Sequence, residues 1–296
     1  MMKALKVKKQ ILASQISTAR SRNNERQLQK EISDFFKQIM EEVQTNLQEY
    51  WSDYQLLQGQ INLITQPILE HHNEYYNLLI KYNLQEFELG YKEGERLVQL
   101  SRDKASMKAF RIPRFLRKAT RITKDRLFDT IPSVREDLKE RVYITSQSTL
   151  ARLTGQLNEI ITKGYTEGKG INVVASMITK REKQLQTWEA KRIARTEIHN
   201  AHNRGVMQIY KDLDVEYTQW KAADDDRTRE SHAEINGEII PMGEKYSNGL
   251  EYPGDESGDI EEWINCRCSN APFVIPYGYM APSFSPFREE DLIKIK

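Results

Sequence analysis

Apolar residues recur at helical spacing near the start of the chain. Ile32, Phe35, Phe36, Ile39, Met40, Val43 and Leu47 fall on one stripe of a 3.6-residue repeat. No proline precedes Pro67, and up to residue 101 glycine occurs only at Gly59, Gly90 and Gly94. The pattern predicts helix over about residues 9–101, with Tyr50, Trp51 and Tyr54 thickening the stripe as core. His71 and His72 sit among Tyr75 and Tyr76 with no second ligand pair nearby, and read as structural. Helical patterning returns over 134–158 and again over about 188–213.

Beyond residue 213 the period changes. Residues 215–220 alternate and are rich in strand formers, and 237–241 and 272–275 are two further short strand candidates. The expected fold class is α+β: predominantly long α-helices in the N-terminal part, then a helical C-terminal module ending in a small sheet of short strands and a loop-rich clamp. The expected divisions are a helical region over 1–145, a module over 146–273 and an extended tail over 274–296. Rich in proline and aromatics, the tail reads as an arm that orders only against a partner.

Composition narrows the function classes. The 296 residues suffice for one large domain or two smaller ones. With 39% hydrophobic and 29% charged residues, the chain reads as long solvated helices rather than one compact globule. A net charge of +1 argues against a uniformly basic nucleic-acid binder, so attraction to phosphate must be local. Residues 102–126 supply such a patch. Arg111, Arg114, Arg117, Lys118 and Arg121 are the candidates for nucleic-acid binding through the phosphate backbone, with a solvated linker or a dock for an acidic partner as alternatives. No run of about 18 apolar residues occurs and the basic start lacks an apolar continuation, so the reading is a soluble, unsecreted protein with no membrane partner. The only cysteines, Cys266 and Cys268, are too close to staple a fold, which implies folding in a reducing compartment.

The glycine-rich residues 164–170 lack a preceding strand and a Gly-Lys-Ser/Thr ending, so they read as a turn before a helix capped at Asn172. The helix over 188–213 carries Arg195, Thr196, Glu197, His199, Asn200, His202 and Asn203, a polar density that implies buried hydrogen bonding to a neighbour. Trp220 then opens a loop-rich stretch to Cys268 that needs more than an apolar core to hold it. One reading is a charge network in which Asp226 and Arg227 pin a strand end and Arg267 bridges to a carboxylate, with Arg229 and Asn265 in the same clamp. The other is zinc on His232, Cys266 and Cys268, with a fourth ligand from Asp226, Asp255 or His202. Both at once is the third. The density of His199, His202, Asp225, Asp226 and His232 also raises a metal-dependent nucleic-acid hydrolase, although no His-Glu-x-x-His signature is present. A DNA-binding protein resting on 102–126 alone is a further alternative.

Taken in order, Ala194-Arg195-Thr196-Glu197, Asn203, Trp220, Asp226-Arg227-Thr228-Arg229, His232, Asn236-Gly237, Pro253-Gly254-Asp255 and Asn265-Cys266-Arg267-Cys268 resemble a known family. It is the phage head morphogenesis domain of the Mu protein F-like minor head proteins of tailed bacteriophages, and the resemblance covers about 146–273. It implies a non-enzymatic minor capsid protein with no catalytic residues. The implied place is the portal vertex of the virion, after assembly in the host cytoplasm, with a part in head morphogenesis and DNA packaging or ejection. The implied partners are the portal protein, a scaffold or the major capsid protein, and packaged double-stranded DNA along 102–126. Some members are similar but carry cysteines at the positions of Arg229 and His232, giving a four-cysteine, zinc-ribbon-like set.

Overall fold

The computed structural model describes residues 19–105, 132–223 and 225–295. The basic candidates Arg111, Arg114, Arg117, Lys118 and Arg121 lie outside the described residues. The fold is α+β, as expected. Its helices are α1 (Ala19–Tyr50), α2 (Gln58–Glu70), α3 (His72–Ala105), α4 (Pro132–Thr166), α5 (Ile171–Gln184) and α6 (Ala190–Asp212), with a π-helical turn, Leu185–Glu189, joining α5 to α6. Then follow β1 (Tyr217–Lys221), α7 (Glu230–Glu234), β2 (Ile239–Pro241), α8 (Ile260–Trp263), β3 (Ser269–Phe273), β4 (Tyr279–Met280) and β5 (Ile293–Lys294). Among the described residues no helix is long and apolar enough to cross a membrane.

Two compact units divide the chain. One, 24–83 with 133–194, is all helical; the other takes 84–132 and 195–296 together with the first residues. In the helical unit the apolar stripe of α1 is the core: Ile32, Phe36, Ile39, Met40, Val43 and Leu47 are fully buried. Phe35 stacks on Tyr75, with ring centroids 4.9 Å apart. His71 is held between Glu42 and Glu74, and His72 Nε2 lies 2.9 Å from Ser146 Oγ, so both histidines are structural. Arg181 and Glu189 form a buried ion pair, and the Arg181 guanidinium also donates to Gln156 Oε1 at 2.8 Å.

The first helical stretch is not continuous. It breaks after Tyr50, where the Trp51 indole donates to Asp53 Oδ1 at 2.7 Å and the Gln55 N–H reaches Ser52 Oγ at 3.4 Å. Such short polar side chains offer an alternative to helical hydrogen bonds. Gln60 Oε1 then accepts the Leu57 N–H at 2.9 Å and starts α2. Tyr54, read as core, is instead 99% exposed in this break. The cap expected at Asn172 falls at Gly170, two residues earlier.

In the mixed unit α3 and α6 approach at backbone distance. A Cβ on Gly205 would lie 2.0 Å from the Phe87 carbonyl oxygen, and one on Gly90 1.9 Å from that of His202. The sheet has order β2-β1-β3, all antiparallel, with Thr218 between Ile240 and Pro272. Strand β3 begins at Ser269, earlier than its apolar run suggests, because Asn270 and Ser269 pair with Trp220 and Lys221. Under the sheet Trp220 packs with Ile235, Ile240, Tyr246, Leu250, Cys266 and Cys268. The tail differs from the expected unordered arm. Phe287 is buried and exchanges both backbone hydrogen bonds with Ile239, while the Arg288 guanidinium donates to the carbonyls of Glu234 and Asn236.

Candidate metal centre and loop clamp

Helix α6 supplies the hydrogen bonds that the loop between β2 and β3 cannot make for itself. Thr196 Oγ1 accepts the Asn265 N–H at 2.9 Å, and Arg195 Nη1 donates to Asn265 Oδ1 at 3.4 Å. His199 Nε2 meets the Cys268 carbonyl, and Asn203 Nδ2 donates to the carbonyls of Pro253 at 2.7 Å and Cys268 at 3.3 Å. Asn200 Nδ2 reaches Glu256 at 3.0 Å. Gly254, at φ +89°, runs against Asn200, where a Cβ would lie 2.4 Å from Oδ1. The polar density of this helix is therefore a ladder for loop backbone and side-chain groups, since a buried loop must satisfy its polar groups somewhere.

Burial holds His199 far below the usual histidine range, at about 4, against the opposing pull of the Cys268 carbonyl. The folded state therefore takes up this proton less readily than the unfolded chain, and His199 contributes stability above pH 6.5 that is lost as pH falls toward 4. At about 1.36 kcal/mol per unit, the loss approaches roughly 3 kcal/mol. Denaturant midpoints measured from pH 7.5 to 4.5 should fall through this window, and should fall less in His199→Gln. An equal fall in the variant would show that other groups govern it.

Asn265, at φ +55°, turns the chain into Cys266-Arg267-Cys268, which leads straight into β3. Side chains alternate along an extended backbone, so both sulfurs point inward and Arg267 points out to Asp225. This is why two cysteines only one residue apart reach one site. His232 arrives from the opposite direction, on the short helix α7. Its Nδ1 lies 3.3 Å from Cys268 Sγ and 3.7 Å from Cys266 Sγ. All three residues are buried and their ligand atoms lie within 4.8 Å of one another. Nε2 faces away, 2.9 Å from Glu262 Oε2, and Glu262 is held in turn by Ser231 Oγ at 3.1 Å.

Backbone groups also serve the sulfurs. The Cys268 N–H points at Cys266 Sγ at 3.4 Å, and the Ala223 N–H donates to Cys268 Sγ. A hydrogen bond from Cys266 lowers the Cys268 thiol to about 5, aided by His232 and Ala223, while the same bond and burial push Cys266 up.

The clamp differs from the expected one in its acid. Asp226 is 92% exposed and Arg227 is largely exposed, so neither pins the strand end. Asp225 does this work: it forms a two-pronged ion pair with Arg267, which holds its carboxyl well below the usual carboxylate range. A local turn presents Asp225, with Oδ1 accepting the Arg227 N–H at 3.0 Å. Arg229 ties α7 to the other side by donating to the Ile264 carbonyl. None of the expected fourth ligands joins the sulfurs. Asp226 faces solvent, Asp255 closes its own turn on Glu251 and Ser257, and His202 lies 3.4 Å from Glu86. Glu262, a lone acid at no fixed spacing from the cysteines, was not legible as part of the site.

A helix that props a glycine-rich loop, pinned where a Cys-Arg-Cys turn enters a three-stranded sheet, defines a compact α+β clamp module. Residues 155–271 match the family described as Phage Mu protein F like protein, and this stretch is a Mu protein F-like head domain. The chain is similar to Minor head protein GP7 of Bacillus phage SPP1, with 31% identity over 147 residues, 47% of this chain and 44% of that protein. It is also similar to NAD(+)--arginine ADP-ribosyltransferase EFV of Enterococcus faecalis, with 30% identity over 149 residues, 48% of this chain and 30% of that protein. The chain thus spans less than half the length of both curated relatives. No solved structure matches it.

Proposed function

We propose that this protein is a minor structural protein of a bacteriophage head, acting in head morphogenesis without catalysing a reaction. The observation that carries the reading is the Mu protein F-like domain over 155–271, whose most chemical side chains are spent on one another. Thr196, His199, Asn203 and Arg229 hold loop backbone, Arg195 holds the Asn265 side-chain amide, and Arg267 holds the Asp225 carboxylate. In this reading the protein sits at the portal vertex, contacts portal, scaffold or major capsid protein, and serves DNA packaging or ejection. The segment 102–126 would touch the packaged DNA. Purified protein should co-sediment with portal protein and be present in purified virions; its absence from virions would sink the reading.

A metal-dependent nuclease is less well supported. His199 faces the Cys268 carbonyl, His202 faces Glu86, Asp225 is committed to Arg267 and Asp226 is exposed, so the residues proposed for it do not converge. The transferase relative shares a stretch amounting to 30% of its own length, which leaves most of that protein outside the likeness. Neither DNA cleavage with magnesium, manganese or zinc nor transfer from NAD is expected.

A further inference from the structure

We propose that His232, Cys266 and Cys268 bind a zinc ion that closes the loop-rich clamp, with Glu262 as the residue that positions the histidine. This inference stands on the geometry of these side chains and does not depend on the head-protein reading. With Zn–S bonds of about 2.3 Å and Zn–N bonds of about 2.0–2.1 Å, a tetrahedral site has N···S edges of about 3.5 Å. The observed Nδ1···Sγ separations are 3.3 and 3.7 Å. The ion therefore fits between atoms that already stand at ligand spacing.

The surroundings favour a cation over a plain packed thiol pair. Glu262 can accept a hydrogen bond from Nε2–H, and in that tautomer, the one a bound ion selects, the Nδ1 lone pair faces the sulfurs. That carboxylate–histidine arrangement is the usual outer shell of a metal-bound imidazole. Each sulfur also receives a backbone N–H, from Ala223 at Cys268 and from Cys268 at Cys266. Two thiolates and one divalent cation are neutral together, as burial demands. Among the described residues no further His, Cys or carboxylate joins this group, so water takes the fourth position. Both sulfurs bind the ion as thiolates, and any proton still held on a thiol leaves to solvent on loading.

The ion would tie α7 to the start of β3 across a chain separation of 34 and 36 residues. Full-length protein, purified without a metal-affinity tag, should carry about one zinc per chain by mass spectrometry. A strong chelator should lower its melting temperature, and added zinc should restore it. Cobalt in place of zinc should give thiolate charge-transfer absorption with intense visible bands. Cys266→Ser with Cys268→Ser should abolish that absorption. If this variant does not fold, Glu262→Gln, which keeps an acceptor for Nε2, should retain the fold but hold zinc roughly 10–100-fold more weakly. Cooperatively folding protein with no zinc, a melting temperature indifferent to chelator, or unchanged zinc affinity in Glu262→Gln would overturn the proposal.

Discussion

Gly205→Ala is expected to destabilise the mixed unit by about 3 kcal/mol or more, at the upper end of what overpacking costs. The added methyl would lie 2.0 Å from the carbonyl oxygen of Phe87 and 2.8 Å from the Tyr91 backbone nitrogen. Both obstacles are backbone, so no rotamer change relieves them and the two helices must move apart. Helix propensity works in the other direction by roughly 1 kcal/mol, because alanine outranks glycine in a helix interior. Gly155→Ala in α4 separates the effects, since nothing lies within 4 Å of that Cβ. It should be neutral or slightly stabilising. Calorimetric melting of both variants decides the matter, and a Gly205→Ala loss no greater than that of Gly155→Ala would remove the close-approach explanation.

Trp220→Ala is the second large effect, expected at about 3–5 kcal/mol. The indole is fully buried and packs edge-on against His232 and Tyr246, with centroids 5.1 Å away in each case. Its removal opens a cavity beside the sulfurs and unseats the histidine together with the core. Trp220→Phe should cost less. It keeps an aromatic face, and it removes an indole N–H that finds no acceptor among the described residues. Urea unfolding gives the free energies, and limited proteolysis between residues 222 and 265 reports whether the loop opens first. A loss under about 1 kcal/mol for the alanine variant would mean the cavity refills by collapse.

These expectations also mark what the sequence does and does not disclose. The stripe from Ile32 to Leu47 is legible because helical periodicity and burial are one fact seen twice. The glycine seam is not. In a sequence Gly90 and Gly205 read as tolerated defects within helices, and only the partner helix shows that each admits a carbonyl. The adjacent aspartates illustrate a second limit. Asp225 and Asp226 are equivalent by type, and a turn closed by Asp225 with Arg227 and Thr228 selects which one meets Arg267. The His232, Cys266 and Cys268 set is legible by residue chemistry, whereas Glu262 is one acid among many until the fold brings it to Nε2. The polar face of α6 announces buried hydrogen bonding, but its acceptors lie 50 to 70 positions away.

The docked tail has a consequence for how copies of this chain behave at high local concentration. A three-stranded sheet has two free margins, and each is a template on which a second chain can add a strand. Phe287 already fills the backbone positions of Ile239 on the β2 side. On the β3 side Pro272 offers no N–H to a newcomer. Neither margin therefore offers a second copy of this chain a full set of unpaired backbone groups. Any partner that engages β2 by strand addition must first displace the protein's own tail.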